Sequence, residues 1–571
     1  MASDDSLKRR SFLKAAGGAA AAATLAGCTG GDSEGQETTT SGDTTDDGGD
    51  TTTESSDDGQ NTLLTYGRGS GSTTLDPQAT TTGEDAKVLN QVYDRLVGFK
   101  PGGSSLVAAL AKDWNQSGKT ATLTLRQGAT FHNGEEFTAD DFIATYRRFL
   151  DSEYEYFVGD SNQSIYGPYL LGNVEDVEAT GDYELKFTLS KKYAPFVANL
   201  AVFALAVMPR SAIEGDRDLS KNPVGTGPFS FEKWNNSNQT IRLMANGEYW
   251  GEGPHVDEVV FTAIGQNTTR AQSLDTGEVD IIDGIGAQAA SVVKGSSSAS
   301  LKKKPGMTIG YMAFNMARVE AFRNKKVRKA ISHAINTKAI VENIYRGQAV
   351  NATQPLPPNV MGHNSEVSAY EYDPEKAQSL LEEAGYGDGF SFELATMTNP
   401  RPYFASPVQT AQTVKSNLGE VGIDVSINKQ SWNPYLTYTA EGKHDACFLG
   451  WISDNADPDN FFSPLLGHSG MSLDKIPEGQ DWVSSDVEGI NTGNRARWAN
   501  REFLELIREG QSTYEQSARK ETYEQASKLT HDEAPWVFMT HTEVLRGVNN
   551  RVKNYTVAPI SGPFLNLVSV E

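Results

Sequence analysis

Residues 183–189 read YELKFTL, in which apolar and polar side chains alternate with a period of two. This period is typical of a half-buried β-strand, because successive side chains of a strand point to opposite faces of its sheet. The same alternation occurs at residues 121–125 (ATLTL) and 423–427 (IDVSI). The sequence therefore predicts three half-buried strands at these positions.

Three other segments predict amphipathic helices. Residues 138–141 (TADD) resemble a capping box, Asp373 and Pro374 suit the first positions of a helix that Gly385 ends, and residues 327–335 form a third helix. The apolar side chains predicted to face the core are Phe142, Tyr146, Phe149, Val327, Ile331, Ile335, Ala377, Leu380, Leu381 and Ala384. We interpret the basic residues of the third helix as a solvated face: Lys325, Lys326, Arg328 and Lys329.

Length and composition limit the class of protein. With 571 residues, 38% of them hydrophobic, the chain can build a sizeable core in two to four lobes, and interleaved strands and helices indicate that these lobes are α/β. Two cysteines exclude a disulfide-stapled scaffold, and Cys447 is expected to be a small buried hydrophobe. A net charge of −24 argues against a nucleic-acid partner, because phosphates require a basic face.

The sequence offers little that points to catalysis. It contains no Gly-x-x-x-x-Gly-Lys-Ser/Thr phosphate loop, and GTGP at residues 225–228 is too short for a dinucleotide fingerprint. The eight histidines never stand at the i, i+4 spacing of a helical zinc pair. We therefore predict a protein that is not an enzyme, with no catalytic residues, no metal and no cofactor.

The N-terminus resembles an export signal. Lys8 to Lys14 read KRRSFLK, and a short apolar stretch leads to Cys28. Crossing a bilayer takes about 20 apolar residues, so a signal peptide is favoured over a spanning helix. Arg9 and Arg10 resemble a twin-arginine signal, and LAGC at residues 25–28 resembles a lipobox, which predicts removal of residues 1–27 and a lipid on Cys28. The alternative is an ordinary cleavage site with a chance cysteine.

A polar spacer follows the cysteine. Residues 29–60 contain ten Asp or Glu, no Lys or Arg and no large apolar side chain, which predicts a disordered linker over residues 28–60. Residues 1–27 carry four basic and two acidic groups, so a charge of −16 remains on residues 61–571. This acidic body fits solvation in high salt or a soluble extracellular surface. Together with the signal, it resembles secreted lipoproteins of halophilic archaea.

A series of motifs runs along the body of the chain. In order they are LDP (75–77), YDRLV (93–97), FHNG (131–134), FTADD (137–141), NPVGTGPF (222–229), NGEYW (246–250) and VRKAISHAI (327–335). The series resembles the dipeptide/oligopeptide/nickel class of substrate-binding proteins, solute-binding family 5, which feed ATP-binding-cassette (ABC) importers. The resemblance extends from about residue 61 to the C-terminus.

The resemblance implies an α/β, two-lobed, periplasmic-binding-protein-like (type II) fold with an extra subdomain. Lobe I would comprise residues 61–98, 223–312 and 542–571. The inserted subdomain would comprise residues 99–222, and lobe II residues 313–541. Ligand would bind between the lobes and favour their closed arrangement.

Residues 447–462, CFLGWISDNADPDNFF, resemble dipeptide-binding proteins in particular. In those proteins the first aspartate of the run pairs with the peptide's α-ammonium group, which the resemblance carries over to Asp454. Arg401, in NPRPY at residues 399–403, resembles the arginine that binds the α-carboxylate. Trp432 matches a tryptophan lining the cleft, and Trp451 lies within the run itself.

Each of these candidates also has a purely structural interpretation. Asp454 would cap a turn, Arg401 would lie on the surface between two prolines, and Trp432 and Trp451 would pack in the core. We expect residues 457–460 (DPDN) to form turns only.

The chemistry of a dipeptide agrees with the resemblance. A zwitterion in a sequestered site needs an opposite charge at each end, since desolvating either charge alone is costly. A guanidinium suits the carboxylate because it donates two parallel hydrogen bonds. The predicted function is therefore capture of di- and oligopeptides by a monomer, lipid-anchored to the outer face of the cytoplasmic membrane, for a permease and its ATPase subunits.

Three alternatives remain open. A protein of the same transporter class would bind a nickel chelate, haem or an oligosaccharide, and only the chemistry of the cleft separates these ligands. A secreted hydrolase is a second alternative. A signalling ectodomain that delivers its ligand to a receptor is the third.

Overall fold

A mixed sheet of twelve strands forms the centre of the molecule. The structure, a computed structural model, describes residues 62–571, which belong to one compact unit. Arg9, Arg10, Cys28 and the spacer lie outside the described residues, so the signal, lipid and linker stay predictions.

The strands are β1 (Leu63–Arg68), β2 (Val97–Phe99), β3 (Leu106–Ala108), β4 (Ala111–Ser117), β5 (Thr120–Leu125), β6 (Val174–Gly181), β7 (Glu184–Leu189), β8 (Phe229–Asn235), β9 (Thr240–Ala245), β10 (Glu258–Ala263), β11 (Ile281–Ile282), β12 (Ala299–Pro305), β13 (Thr308–Phe314), β14 (Ala349–Asn351), β15 (Ser391–Met397), β16 (Asp424–Gln430), β17 (Ala446–Ile452), β18 (Trp536–Asn549), β19 (Val552–Lys553) and β20 (Ser569–Val570).

The helices are α1 (Gly83–Val92), α2 (Ala139–Leu150), α3 (Tyr166–Leu171), α4 (Phe196–Asn199), α5 (Arg210–Ile213), α6 (Asn267–Asp275), α7 (Ala287–Gly295), α8 (Lys325–Ala334), α9 (Thr337–Ile340), α10 (Pro374–Glu383), α11 (Pro407–Gly419), α12 (Trp432–Ala440), α13 (Asp459–Phe462), α14 (Arg501–Ser512) and α15 (Gln516–Glu533). Short 3-10 turns and one π-helical turn, Val341–Tyr345, complete the described secondary structure.

Strand β18 belongs to both halves of the large sheet. Its first part, through Thr542, pairs with β13 and β14, whereas its second part pairs with β11 and β12. A second segment also passes from one half of the sheet to the other: β12 leads through Gly306 into β13. It lies beside β18, where the Gly306 N–H donates to the Thr542 carbonyl at 3.0 Å. A Cβ on Gly306 would lie 2.6 Å from that carbonyl oxygen, so the close approach requires glycine. The two halves of the large sheet are therefore joined by two adjacent segments that are bonded to each other.

The inserted subdomain has a sheet of its own. Strands β4, β5, β7 and β6 form an antiparallel sheet in that order, against which α2 packs through the edge-to-face pair Phe142 and Phe187. One cluster of buried apolar side chains extends from this subdomain into lobe II. A second cluster, around Leu64, Phe229 and Phe261 of lobe I, also includes Tyr154 and Met208 of the inserted subdomain. The residue limits of the lobes stay predictions.

Local sequence signals are confirmed. The three predicted strands are β5, β7 and β16, and the capping box joins Thr138 and Asp141 at the start of α2. The Asp373 side chain accepts from Lys376 N at the start of α10, and Gly385 adopts φ +83° just beyond its end. Cys447 is free and fully buried, as expected.

The interpretation of the basic helix is wrong for one residue. Lys325 and Lys326 on α8 are exposed, but Arg328 is completely buried. Its guanidinium donates to the Glu533 carbonyl at 2.8 Å and to the Asp481 carboxylate at 2.9 Å. Buried charges require such partners, and here the partners come from segments far along the chain.

Candidate functional site

Asp454 lies just after β17, in a loop held by short polar side chains. The Ser453 Oγ accepts from Ala456 N, the Asn455 Oδ1 from Asp457 N, and the Asp457 Oδ1 from Asp459 N, each at 2.9–3.0 Å. Such bonds are typical of Asp, Asn and Ser in turns. Ala456 adopts a left-handed conformation at φ +60°, which reverses the chain. The loop therefore ends β17 sharply and presents Asp454 at its start.

Several residues of the inserted subdomain reach this loop, two of them beside Asp454. The Tyr166 hydroxyl donates to Asp454 Oδ1 at 2.8 Å, and Asn460 Nδ2 donates to the Tyr169 hydroxyl at 2.7 Å. Asn460 Oδ1 accepts from both the Asp454 N–H and Trp451 Nε1, each at 3.0 Å. Asn460 thus fixes Asp454 and Trp451 relative to helix α3.

The Asp454 carboxylate has no cationic partner among the described residues. Its side chain is partly accessible, yet the surrounding protein desolvates it and raises its pKa to about 6, against smaller opposing effects of the hydrogen bonds from Tyr166 and Asn460. A cation bound at this position would favour the ionised form. Asp454 is therefore a desolvated carboxylate without a charged partner in residues 62–571, which a cation could pair with.

A buried ionic network lies beneath the loop. Arg519 pairs with Asp457 at 2.9 Å, and both side chains are 7% exposed. Asp459 accepts from Gln511 at 3.1 Å and from the Tyr193 hydroxyl at 3.3 Å, and burial, followed by the charge of Asp457, raises its pKa to about 6. The expectation that residues 457–460 form turns only is wrong, because these side chains also anchor the loop to α14 and α15.

Arg401 presents its guanidinium on an aromatic face. The guanidinium carbon lies 3.5 Å from the centroid of the Trp432 ring, at the first position of α12. Its Nε is buried without a hydrogen-bond partner, and among the described residues no carboxylate pairs with it. Burial lowers the pKa of Arg401 from its ordinary value, but guanidinium remains charged at neutral pH. This is a positioned cation with hydrogen-bond donors still available.

The two candidates lie on neighbouring parts of lobe II. Tyr403 packs over Gly450, next to Trp451, so closely that any side chain at position 450 would collide with its ring. The Tyr403 carbonyl accepts from Thr540 Oγ1 at 3.0 Å and from the Tyr345 hydroxyl at 3.1 Å. These contacts fix the Arg401 turn on β17 and β18, the strands that also place Asp454.

A cavity of about 620 Å³ opens between the inserted subdomain and lobe II. Its walls include Trp114, Asn115, Pro458, Tyr514 and Arg519, but none of the four ligand-binding residues predicted from the sequence. In residues 62–571, no three His, Cys, Asp or Glu side chains are arranged to hold a metal ion. Over the same residues, every helix is too short or too polar to cross a bilayer.

Tyr166, Tyr169 and Asn460 were missed by the sequence analysis. Tyr166 is 288 residues from Asp454, and no local pattern reports a contact at that separation. Asn460 lies in the run that resembles dipeptide-binding proteins, but its sequence context predicts only a turn. The one signal that the sequence offers is the uncharged segment IYGPYLLG at residues 165–172.

Comparison with known proteins identifies the family. The model of the bacterial extracellular solute-binding proteins, family 5 (middle region), matches residues 105–472. The dipeptide-binding protein of Escherichia coli K12 is 31% identical over 515 residues, 87% of this chain and 92% of that protein. Heme-binding protein A of Haemophilus influenzae is 32% identical over 500 residues, 84% of this chain and 87% of that protein.

A solved structure agrees with these relatives. The ABC transporter-associated periplasmic binding protein from Helicobacter pylori, in complex with the peptide STSA, superposes with a TM-score of 0.72 at 30% identity, covering 89% of this chain and 98% of that one. The chain belongs to family 5 of the bacterial extracellular solute-binding proteins. It has their two-lobed periplasmic-binding-protein fold, and it is an ABC-type substrate-binding protein rather than an enzyme.

Proposed function

We propose that this protein captures di- and oligopeptides between its lobes and delivers them to an ABC permease driven by separate ATPase subunits. The observation that carries the proposal is the pair of unmatched charges on lobe II. Asp454 has no cationic partner, and Arg401, stacked on Trp432, has no anionic one among the described residues. A free peptide supplies both missing charges.

The pairing has a definite polarity. The peptide's α-ammonium group would bind Asp454, and its α-carboxylate would bind Arg401, whose planar fork suits two parallel hydrogen bonds. Trp432 would orient the guanidinium, and Trp451 would line the cleft beside Asn460. Fixing both termini selects peptides by length, while side chains that occupy wet pockets are selected weakly.

Two relatives support a peptide over other ligands. The Escherichia coli protein is named for dipeptides, and the Helicobacter pylori structure contains a four-residue peptide. Haem is the second candidate, favoured by the 32% identity to heme-binding protein A.

The lobes would close on the ligand by rotation. We assign residues 61–98, 223–312 and 542–571 to lobe I, residues 99–222 to the inserted subdomain and residues 313–541 to lobe II. Both charged anchors would then lie on lobe II, and Tyr166 and Tyr169 would bring the inserted subdomain to the ammonium end of the ligand.

The cellular setting is proposed from the sequence. A twin-arginine signal with Arg9 and Arg10 would export the folded chain, and a lipid on Cys28 would hold it at the outer face of the cytoplasmic membrane. The acidic spacer and the acidic body resemble those of a haloarchaeal lipoprotein. The protein would act as a monomer.

Titration calorimetry in high salt tests the proposal. The protein is refolded free of carried-over ligand and titrated with dipeptides, tripeptides and haem. We expect dipeptide binding that Asp454→Ala weakens by about 2–5 kcal/mol, the usual effect of removing one partner of a desolvated ion pair. Asp424→Ala, which removes a carboxylate with 84% exposure, is the matched control and should bind as the wild type does. A folded protein that binds no peptide would contradict the proposal, and haem binding would establish the second candidate.

A further inference from the structure

Helix α3 exposes an uncharged face. Its buried residues are Gly167, Leu170 and Leu171. The exposed positions are Ile165, Pro168, Tyr169 and Gly172, which recur at i, i+3, i+4 and i+7 and therefore lie on one side of the helix. Ile165 is 74% exposed and Tyr169 42% exposed. A solvent-facing helix side normally carries polar or charged residues, so this face is unusual on an acidic protein.

Hydrogen bonds place this face at the Asp454 site. The Tyr169 hydroxyl accepts from Asn460, the same side chain that accepts from the Asp454 N–H. The neighbouring Tyr166 hydroxyl donates to the Asp454 carboxylate. Ile165 lies one helical turn from Tyr169 on the same side of α3. The uncharged face is therefore continuous with the proposed ammonium site.

Exposed apolar side chains are concentrated at this position. In the described part of the chain six large hydrophobic residues are exposed, and half of them are close to Asp454 along the chain or through hydrogen bonds. Tyr169 bonds to Asn460, Ile165 lies one helical turn before Tyr169, and Ile452 ends β17 two residues before Asp454. Contiguous exposed apolar groups mark binding surfaces. Since the patch borders a carboxylate without a cation, its occupant should carry an apolar group next to a positive charge.

We propose that Ile165 and Tyr169 bind the side chain of the ligand residue that carries the free ammonium group, and so select peptides with a bulky apolar first residue. The inference rests on the proposed function. In a peptide the first side chain and the ammonium group share one carbon atom. A ligand whose ammonium binds Asp454 therefore holds its first side chain against the neighbouring surface, which here is the uncharged face of α3.

The test compares two peptides that differ only in the first side chain, Leu-Ala and Gly-Ala, in titrations of the ligand-free protein. We expect the wild type to prefer Leu-Ala. Ile165→Ser should weaken Leu-Ala binding about 10-fold, the usual size of a lost apolar contact, and leave Gly-Ala binding within about twofold. Tyr169→Phe keeps the apolar ring and should retain the preference.

The matched control is Leu63→Ser, which changes an apolar residue with 40% exposure at the first position of β1 and should alter neither titration. Equal losses for both peptides in Ile165→Ser, or no loss for either, would overturn the proposal. No loss would leave the face to a protein partner such as the permease. A wild type that binds neither peptide, nor any other, would instead refute the proposed function, and this inference with it.

Discussion

The two charged residues that we propose as ligand anchors, Asp454 and Arg401, are held in different ways. Asp454 is held by residues from another subdomain, above a buried ionic network, and its pKa is raised to about 6. Arg401 is held by its own lobe, stacked on Trp432, with its charge intact. The difference teaches that, if both residues bind ligand as proposed, the Arg401 end is held within one lobe. The Asp454 end would depend on the position of the inserted subdomain and on pH.

The largest expected effect concerns the buried ion pair beneath the Asp454 loop. Arg519→Met leaves Asp457 buried without its partner, which should lower the free energy of unfolding by about 3–5 kcal/mol. Urea denaturation in high salt measures the change. Arg242→Met, which removes a half-exposed cation paired with Glu258 at 3.1 Å on lobe I, should cost no more than about 1 kcal/mol. Equal losses in both variants would contradict a buried network beneath the loop.

A change at the other anchor should act on binding and spare stability. Arg401→Met should weaken dipeptide binding by about 2–3 kcal/mol, because a charged hydrogen-bonded pair is lost while Trp432 keeps an apolar neighbour. Calorimetry with a C-terminally amidated dipeptide provides the control, since wild type and variant should bind it alike. A wild-type preference for the amidated form would show that Arg401 does not bind the carboxylate.

The smallest expected effect is a change of peptide affinity with pH, which should depend on Asp454 and not on Arg401. Because the pKa of Asp454 is raised to about 6, its carboxylate is ionised at pH 7 and mostly protonated at pH 5. Peptide affinity should therefore fall about tenfold between pH 7 and pH 5, a range in which neither peptide terminus titrates. Asp454→Asn should bind weakly with a flat profile. A tenfold fall that persists in this variant would assign the titration to another group, with Asp459 the first to test.

The sequence predicts features whose causes are local. The capping box at Thr138, the helix between Asp373 and Gly385 and the alternating strands all depend on residues a few positions apart, and the structure confirms them. Family resemblance supplied the fold and the four candidate residues, whose roles in binding stay predictions.

Features with distant causes could not be predicted in this way. Arg328 looks like a surface cation until α15 and the loop at Asp481 are assembled around it, since these partners lie 205 and 153 residues away. Asp457 looks like a turn residue in the sequence, since its ion-pair partner, Arg519, lies 62 residues further along the chain. The pattern of charges along a helix does not show which charged side chains are buried, because burial depends on tertiary packing.

The paired connection at Gly306 and Thr542 has a mechanical consequence. Two bodies joined by a single flexible link can separate, slide and rotate in three directions. Two adjacent strands that are bonded to each other remove sliding and separation and leave rotation about one axis as the soft motion. Opening and closing of the lobes would then be a movement along one coordinate, so a single distance between one label on each lobe would report the whole conformational cycle.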